Sequence, residues 1–142
     1  MATIRRFEDL TCWQTARAVA QDVYRISKAG EMARDFGLVN QIRRAAGSVM
    51  DNIAEGFDRG SRGEFVQFLG FAKGSAGEVK SQLYRAFDQN YLDSATFEAL
   101  CEKVDNNSRL IKGMLTYLSS SAIKGERYQS LQEPEPLYNT NA

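Results

Sequence analysis

One apolar stripe constrains this chain more than any other feature. Phe65, Phe68, Leu69, Ala72, Ala76, Val79, Leu83 and Ala86 recur at steps of three and four residues, which places them on a single face of an α-helix. At ~1.5 Å per residue such a helix is roughly 40 Å long. A stripe of that length must be covered from end to end, and in a chain of 142 residues the cover has to come from partner helices of comparable length.

The remaining sequence supplies them. Trp13, Ala16, Ala20, Val23 and Ile26 or Tyr24 keep helical spacing and predict a helix from about 10 to 28, capped by Asp9 and ended at Ala29-Gly30. Ile42, Ala45, Val49 and Ile53 predict a second, opening between 32 and 35 and running to Glu55. Gly37 is a weak point in it, where the helix could break and leave Leu38 to open its solid part. Gly56 is expected just past the end, in the left-handed region. Ser61-Arg62-Gly63-Glu64 has the form of a capping box and starts the long third helix, which should reach about 89. After Asn90-Tyr91-Leu92, Asp93 or Ser94 caps a fourth helix carrying Phe97, Leu100 or Cys101, Val104, Ser108, Ile111, Leu115 and Leu118. No stretch alternates with period two. The expected fold is all-α, an up-down-up-down four-helix bundle over 9–120. An N-terminal arm (1–8) with Phe7 as a docking residue precedes it, and a flexible polar tail (121–142) follows, with room for a short helix near 122–131.

Composition narrows the function. The chain has no histidine, which removes the commonest general base, the commonest metal ligand and every Ser-His or Cys-His pair. A non-enzymatic protein without cofactor or metal is expected; an enzyme built on a buried carboxylate pair is the minor alternative. No run of apolar residues is long enough for a membrane span, and the first ten residues lack a signal-peptide core, so a cytoplasmic protein is expected. Cys12 and Cys101 then read as two reduced thiols, although a disulfide between them stays open.

Net charge is zero. Setting aside Glu126, Glu133, Glu135 and Arg127 leaves 17 basic and 15 acidic residues in the first 124. That excess is small for a nucleic-acid binder, so any basic patch must come from clustering or from repetition in an oligomer. Arg43 and Arg44 on the second helix, with Arg59 and Arg62 at the turn after it, are the candidate nucleic-acid contacts, because guanidinium grips phosphate bidentately and keeps its charge. The alternative is that Arg44 or Arg59 pairs Glu55, an acid placed unfavourably near the negative end of its helix. Asn52, Glu55, Glu78 and Gln82 form a polar set beside the apolar stripes, expected to fix register and assembly, with Glu78 and Gln82 reaching Asn52 or Gln41 across the seam. Gly70, Gly74 and Gly77 interrupt the third helix and make sense where another helix or another subunit comes close. Tyr24, Tyr84, Tyr91, Tyr117 and Trp13 could stack bases, but their spacing reads as core edges.

Taken together, the residues resemble a known family. They are Asp9-Leu10, Trp13-Gln14, Ala16, Tyr24, Gln41-Ile42-Arg43-Arg44-Ala45-Ala46, Asn52-Ile53-Ala54-Glu55-Gly56, Ser61, Glu64, Phe68-Leu69, Ala72, Gly74-Ser75, Glu78, Gln82-Leu83 and Tyr91-Leu92. Over about 8–118 they resemble, in order and spacing, the bacterial four-helix-bundle proteins encoded in intervening sequences of large-subunit ribosomal RNA. The chain departs from that pattern in lacking the usual Phe-Pro of the first connection. The resemblance implies a cytoplasmic, non-enzymatic homo-oligomer, a ring-like pentamer. It is also similar in fold to accessory proteins of diversity-generating retroelements, which bind nucleic acid and a reverse transcriptase through a basic surface. The expected function is a homo-oligomeric scaffold binding structured RNA, or a reverse-transcriptase-like or RNA-processing protein, through Arg43, Arg44, Arg59 and Arg62. The alternative is a protein-interaction module whose arginines are used in intersubunit salt bridges.

Overall fold

The computed structural model describes residues 3–120 and 131–132. Four α-helices carry the fold: α1 (Thr11–Ser27), α2 (Phe36–Asp58), α3 (Arg62–Asp88) and α4 (Ser94–Leu118). Each packs against its neighbours in sequence, and α1 closes the bundle against α4, which is the up-down-up-down arrangement. The third-helix stripe forms the central wall: Phe65, Leu69, Ala72, Ala76, Val79, Leu83 and Ala86 are all buried. Phe68 is half-buried at its edge and meets Phe71 in an edge-to-face contact.

The helix ends differ from expectation where a local hydrogen bond wins. Asp9 does not cap α1; its Oδ2 accepts from the backbone N–H of Arg5 and Arg6 and secures a 3-10 turn at Phe7–Asp9 instead. Phe7 then docks against Trp13, ring centroids 5.1 Å apart. The first connection folds as a second 3-10 turn (Gly30–Arg34), entered through Gly30 at φ +60°, so a left-handed glycine shapes the loop that lacks a proline. Asp35 caps α2 through Leu38 N–H, which puts Gly37 in the first turn and not at an interior break. Gly56 is no terminator either. α2 continues to Asp58, and Gly60, at φ +83°, takes the left-handed position. Gly56 is buried instead where α2 meets α3.

Two polar anchors lie inside the bundle. Asn107 of α4 donates to the Cys12 carbonyl (2.9 Å) and to Thr15 Oγ1 (2.7 Å), tying α4 to α1. Asp22 of α1, only 5 % exposed, pairs with Arg25 (2.8 Å) and with Lys103 of α4 (2.7 Å); a carboxylate this deep needs both cations. Cys12 and Cys101 are not joined in a disulfide. Thr3–Ile4 (β1) pairs antiparallel with Leu131–Gln132 (β2), so the N-terminal arm is held by backbone hydrogen bonds. The rest of the expected tail, including the short helix near 122–131, lies outside the described residues.

Candidate nucleic-acid and assembly faces

The four arginines singled out by sequence do not share a surface. Arg43 turns toward α1: its Nε donates to Ser27 Oγ (2.8 Å) and its guanidinium lies 4.7 Å from the Tyr24 ring centroid. Arg44, one residue and about 100° further round the helix, is exposed on the α3 side and forms no ion pair with the described residues. Arg59 bridges Glu55 (2.9 Å) and Glu64 (3.1 Å) and lies over Phe68. The hydrogen bond to Glu55, then that to Glu64, holds its guanidinium above the ordinary value. Glu55 thus gains the cation its position at the end of α2 lacks. Arg62 crosses from the start of α3 to the end of α4 and donates to the Leu118 carbonyl (3.2 Å), one of the open acceptors at the C-terminus of α4. Its Nε is buried without a partner. Arg59 and Arg62 are therefore engaged within the chain.

The polar set lines a cleft between α2 and α3 of about 420 Å³, formed by Gln41, Arg44, Ala45, Ser48, Ser75, Glu78 and Gln82. Its floor is the bond between Ser48 Oγ and Ser75 Oγ (3.0 Å), with Asn52 donating to the Ser48 hydroxyl and carbonyl. Asn52 and Gln41 are thus not the partners of Gln82 and Glu78: Asn52 turns back along its own helix, and Gln41 accepts from Arg85 (2.6 Å). Gln82 Oε1 is left buried with no donor. Arg44 and Glu78, of opposite charge on the two walls of one cleft, are not paired with each other. Beside this cleft Gly70, Gly74 and Gly77 face solvent, and a Cβ added at any of them would meet nothing within 4 Å. No helix of the chain itself comes close there. The close approach is at Gly56, where a Cβ would stand 2.6 Å from Phe68 Cβ.

A further surface escaped sequence reading. On the outer side of α1, a groove of about 730 Å³ runs between Arg17, Gln21, Asp22, Tyr24, Arg25 and Lys28, floored by Ala20 and by Met50 of α2. Arg43 joins it through Tyr24, over whose ring Lys28 also lies. The signal was in the sequence: 17, 21, 24/25 and 28 are one helical face. Asp22 lies among them, 5 % exposed, with its carboxylate held by Arg25 and Lys103.

Among the described residues no group of three or more potential ligands could hold a metal, and no helix is long and apolar enough to cross a membrane. A sequence model described as 23S rRNA-intervening sequence protein matches residues 8–113. No curated protein matches the chain. Among solved structures, it is similar to a protein of unknown function of the S23 ribosomal protein family from Bacteroides thetaiotaomicron, at 18 % identity and a TM-score of 0.67, over 78 % of this chain and all of that one. The fold is thus shared at low identity, and the chain belongs to the 23S rRNA-intervening sequence protein family.

Proposed function

We propose that this member of the 23S rRNA-intervening sequence family is a cytoplasmic, non-enzymatic scaffold: copies of the bundle associate, and the assembly binds structured RNA or an RNA-processing protein. The observation that carries the reading is the α2/α3 face. Gly70, Gly74 and Gly77 of α3 have no neighbour within 4 Å of an added Cβ, Phe71 of the same helix is 51 % exposed, and Arg44 and Glu78 in the adjoining cleft form no ion pair among the described residues. Glycines inside a helix cost stability, up to ~1 kcal/mol each relative to Ala, and that cost is offset where a second copy packs close. The buried Gln82 Oε1 gains a donor in such a contact. A pentameric ring, as the family resemblance implies, repeats every outward-facing cation five times, so weak phosphate contacts act together.

The position of Arg44 favours the rival reading for that one residue. It borders the assembly face, so its charge goes to an intersubunit bridge with Glu78, and RNA contact is left to cations elsewhere, Arg43 among them. Light scattering after size exclusion tests the scaffold. Gly74→Leu together with Gly77→Leu fits the free bundle, because nothing is in the way, but blocks close approach. The wild type should run as a multimer and the double variant as a folded monomer with unchanged helical circular dichroism. A monomeric wild type, or a variant that assembles normally, refutes the assignment of this face.

A further inference from the structure

We infer that the groove along α1 is a binding site for single-stranded RNA, with phosphates on Arg17, Arg25 and Lys28 and bases turned onto the apolar floor. The inference rests on the proposal that the protein binds RNA, and adds where, and in what form.

Charge is the first argument. The solvent-facing positions of α1 are Gln14, Arg17, Ala18, Gln21, Tyr24 and Arg25, with Lys28 following, and none is acidic. The one carboxylate of the helix, Asp22, is buried and held by Arg25 and Lys103. Asp22 is the one acid that lines the groove; Glu8, Asp9, Glu31 and Asp51 do not. A chain of zero net charge therefore lines this groove with Arg17, Arg25 and Lys28 against Asp22 alone, with Arg43 beside it over the Tyr24 ring. Such a face attracts a polyanion.

Shape is the second argument. A rim of cations alone would suit a duplex, whose bases are sealed inside. Here the cations flank a recessed floor of Ala20, Met50 and the Tyr24 ring, which is 45 % exposed. Phosphates gain nothing from an apolar floor, whereas unpaired bases do, because each offers a flat apolar face to aromatic and aliphatic side chains. Stacking on Trp13 and Tyr24 also pre-orders the cations: Arg17 lies 5.8 Å from the Trp13 centroid and Lys28 6.0 Å from that of Tyr24, so fewer rotamers are lost on binding. Arg17 and Lys28 are separated by ~16 Å along the helix axis, so the strand follows the helix.

The experiment is fluorescence anisotropy on the full chain with a labelled unstructured RNA and, separately, a labelled RNA duplex, each over a salt series. The variants are Arg17→Ala with Lys28→Ala, Tyr24→Ala, and Lys73→Ala on α3 as the control. Two phosphate contacts on a single strand, at ~0.7 each in the log–log salt slope, predict a slope smaller by about 1.4 and an affinity about 25-fold weaker in 0.1 M salt for the double variant. Tyr24→Ala should weaken binding with the slope unchanged, and Lys73→Ala should do nothing. Tight binding that the double variant leaves unaltered overturns the groove and keeps the RNA reading. Duplex bound as tightly as the single strand, and lost in the same variant, overturns the claim of unpaired RNA. No binding of either probe at low salt overturns both the groove and the reading beneath it.

Discussion

Replacing Gly56 by alanine should destabilise this protein, although glycine-to-alanine changes inside a helix ordinarily do the reverse. The residue lies within α2, buried against α3. Its propensity alone predicts a gain of up to ~1 kcal/mol on substitution. The new Cβ, however, would stand 2.6 Å from Phe68 Cβ and 3.2 Å from Phe65 Cδ1. Carbon atoms rest at about 3.5–4.0 Å, so something must retreat by about 1 Å. The nearer neighbour is a Cβ, fixed to the α3 backbone, and cannot rotate away. Moving α3 disturbs Phe65 and Leu69 directly above it, both fully buried. Overpacking of this kind costs about 1–3 kcal/mol, and set against the propensity gain it leaves a net loss of up to about 2 kcal/mol. At ~4 °C per kcal/mol for a domain of this size, that is a fall of up to roughly 8 °C in Tm. Gly47 on the same helix is the control, since its added Cβ meets nothing within 4 Å; Gly47→Ala should stabilise by up to ~1 kcal/mol. Urea unfolding of the two variants decides the matter. If both gain stability alike, the α2/α3 contact yields freely at Gly56 and the argument from close packing is wrong.

Asn107→Ala removes the two hydrogen bonds joining α4 to α1 and should cost about 2 kcal/mol in urea unfolding with an unchanged m-value; a loss below about 0.5 kcal/mol would mean that water replaces them at no cost. Asp93 caps α4 through Thr96 N–H (2.7 Å), and that hydrogen bond holds its carboxyl below the usual range. A depressed folded value means the cap's contribution is full above the ordinary carboxylate range and is lost as pH falls through it. The stability difference between wild type and Asp93→Asn should therefore shift against the wild type on acidification, and parallel pH profiles would contradict the assignment. Arg62→Ala uncovers the Leu118 carbonyl and should speed amide exchange over the last turn of α4; it should leave RNA affinity intact, and a loss of RNA binding would return Arg62 to the nucleic-acid surface.

The helices were legible because their signal is periodic and long. The buried set of α3 is the sequence stripe almost residue for residue, with only Phe68 displaced to the edge. Ends were less legible, because a cap is a choice among nearby acceptors. Asp9 and Asp35 look alike in sequence, yet Asp9 serves the 3-10 turn before α1 while Asp35 opens α2. The role of Gly56 was misread for the same reason, and the helix-3 glycines are met by no helix of the described chain. A helix-interior glycine signals close approach only if its Cβ direction points at a neighbour, and the period-3.6 pattern is too coarse to say that Gly56 points at Phe68 and Gly74 at open space. The arginines were grouped by proximity along the chain, but Arg43 and Arg44 point in directions about 100° apart on α2, one against Tyr24 and one on the α3 cleft.

Charge bookkeeping by sequence fails here for a physical reason that also bears on function. Counting gives zero net charge, but the bundle does not expose its charges evenly. It turns Asp22 inward to meet Lys103 across the α1/α4 seam, and it spends Glu55 and Glu64 on Arg59 at the α2–α3 turn. Asp22 is masked from an approaching polyanion by burial and by its two cations, whereas Glu55 and Glu64 share one cation and keep their acid charge at the α2–α3 turn. The α1 surface becomes cationic through this sorting and not through an excess of basic residues. Breaking the sort should then be as damaging as deleting a cation. Lys103→Ala leaves Asp22 with Arg25 as its one remaining partner and draws that guanidinium toward the interior. RNA affinity should drop by more than the one phosphate contact's ~0.7 in salt slope accounts for. A variant whose affinity changes only in step with its slope would show that Lys103 acts as an ordinary surface charge.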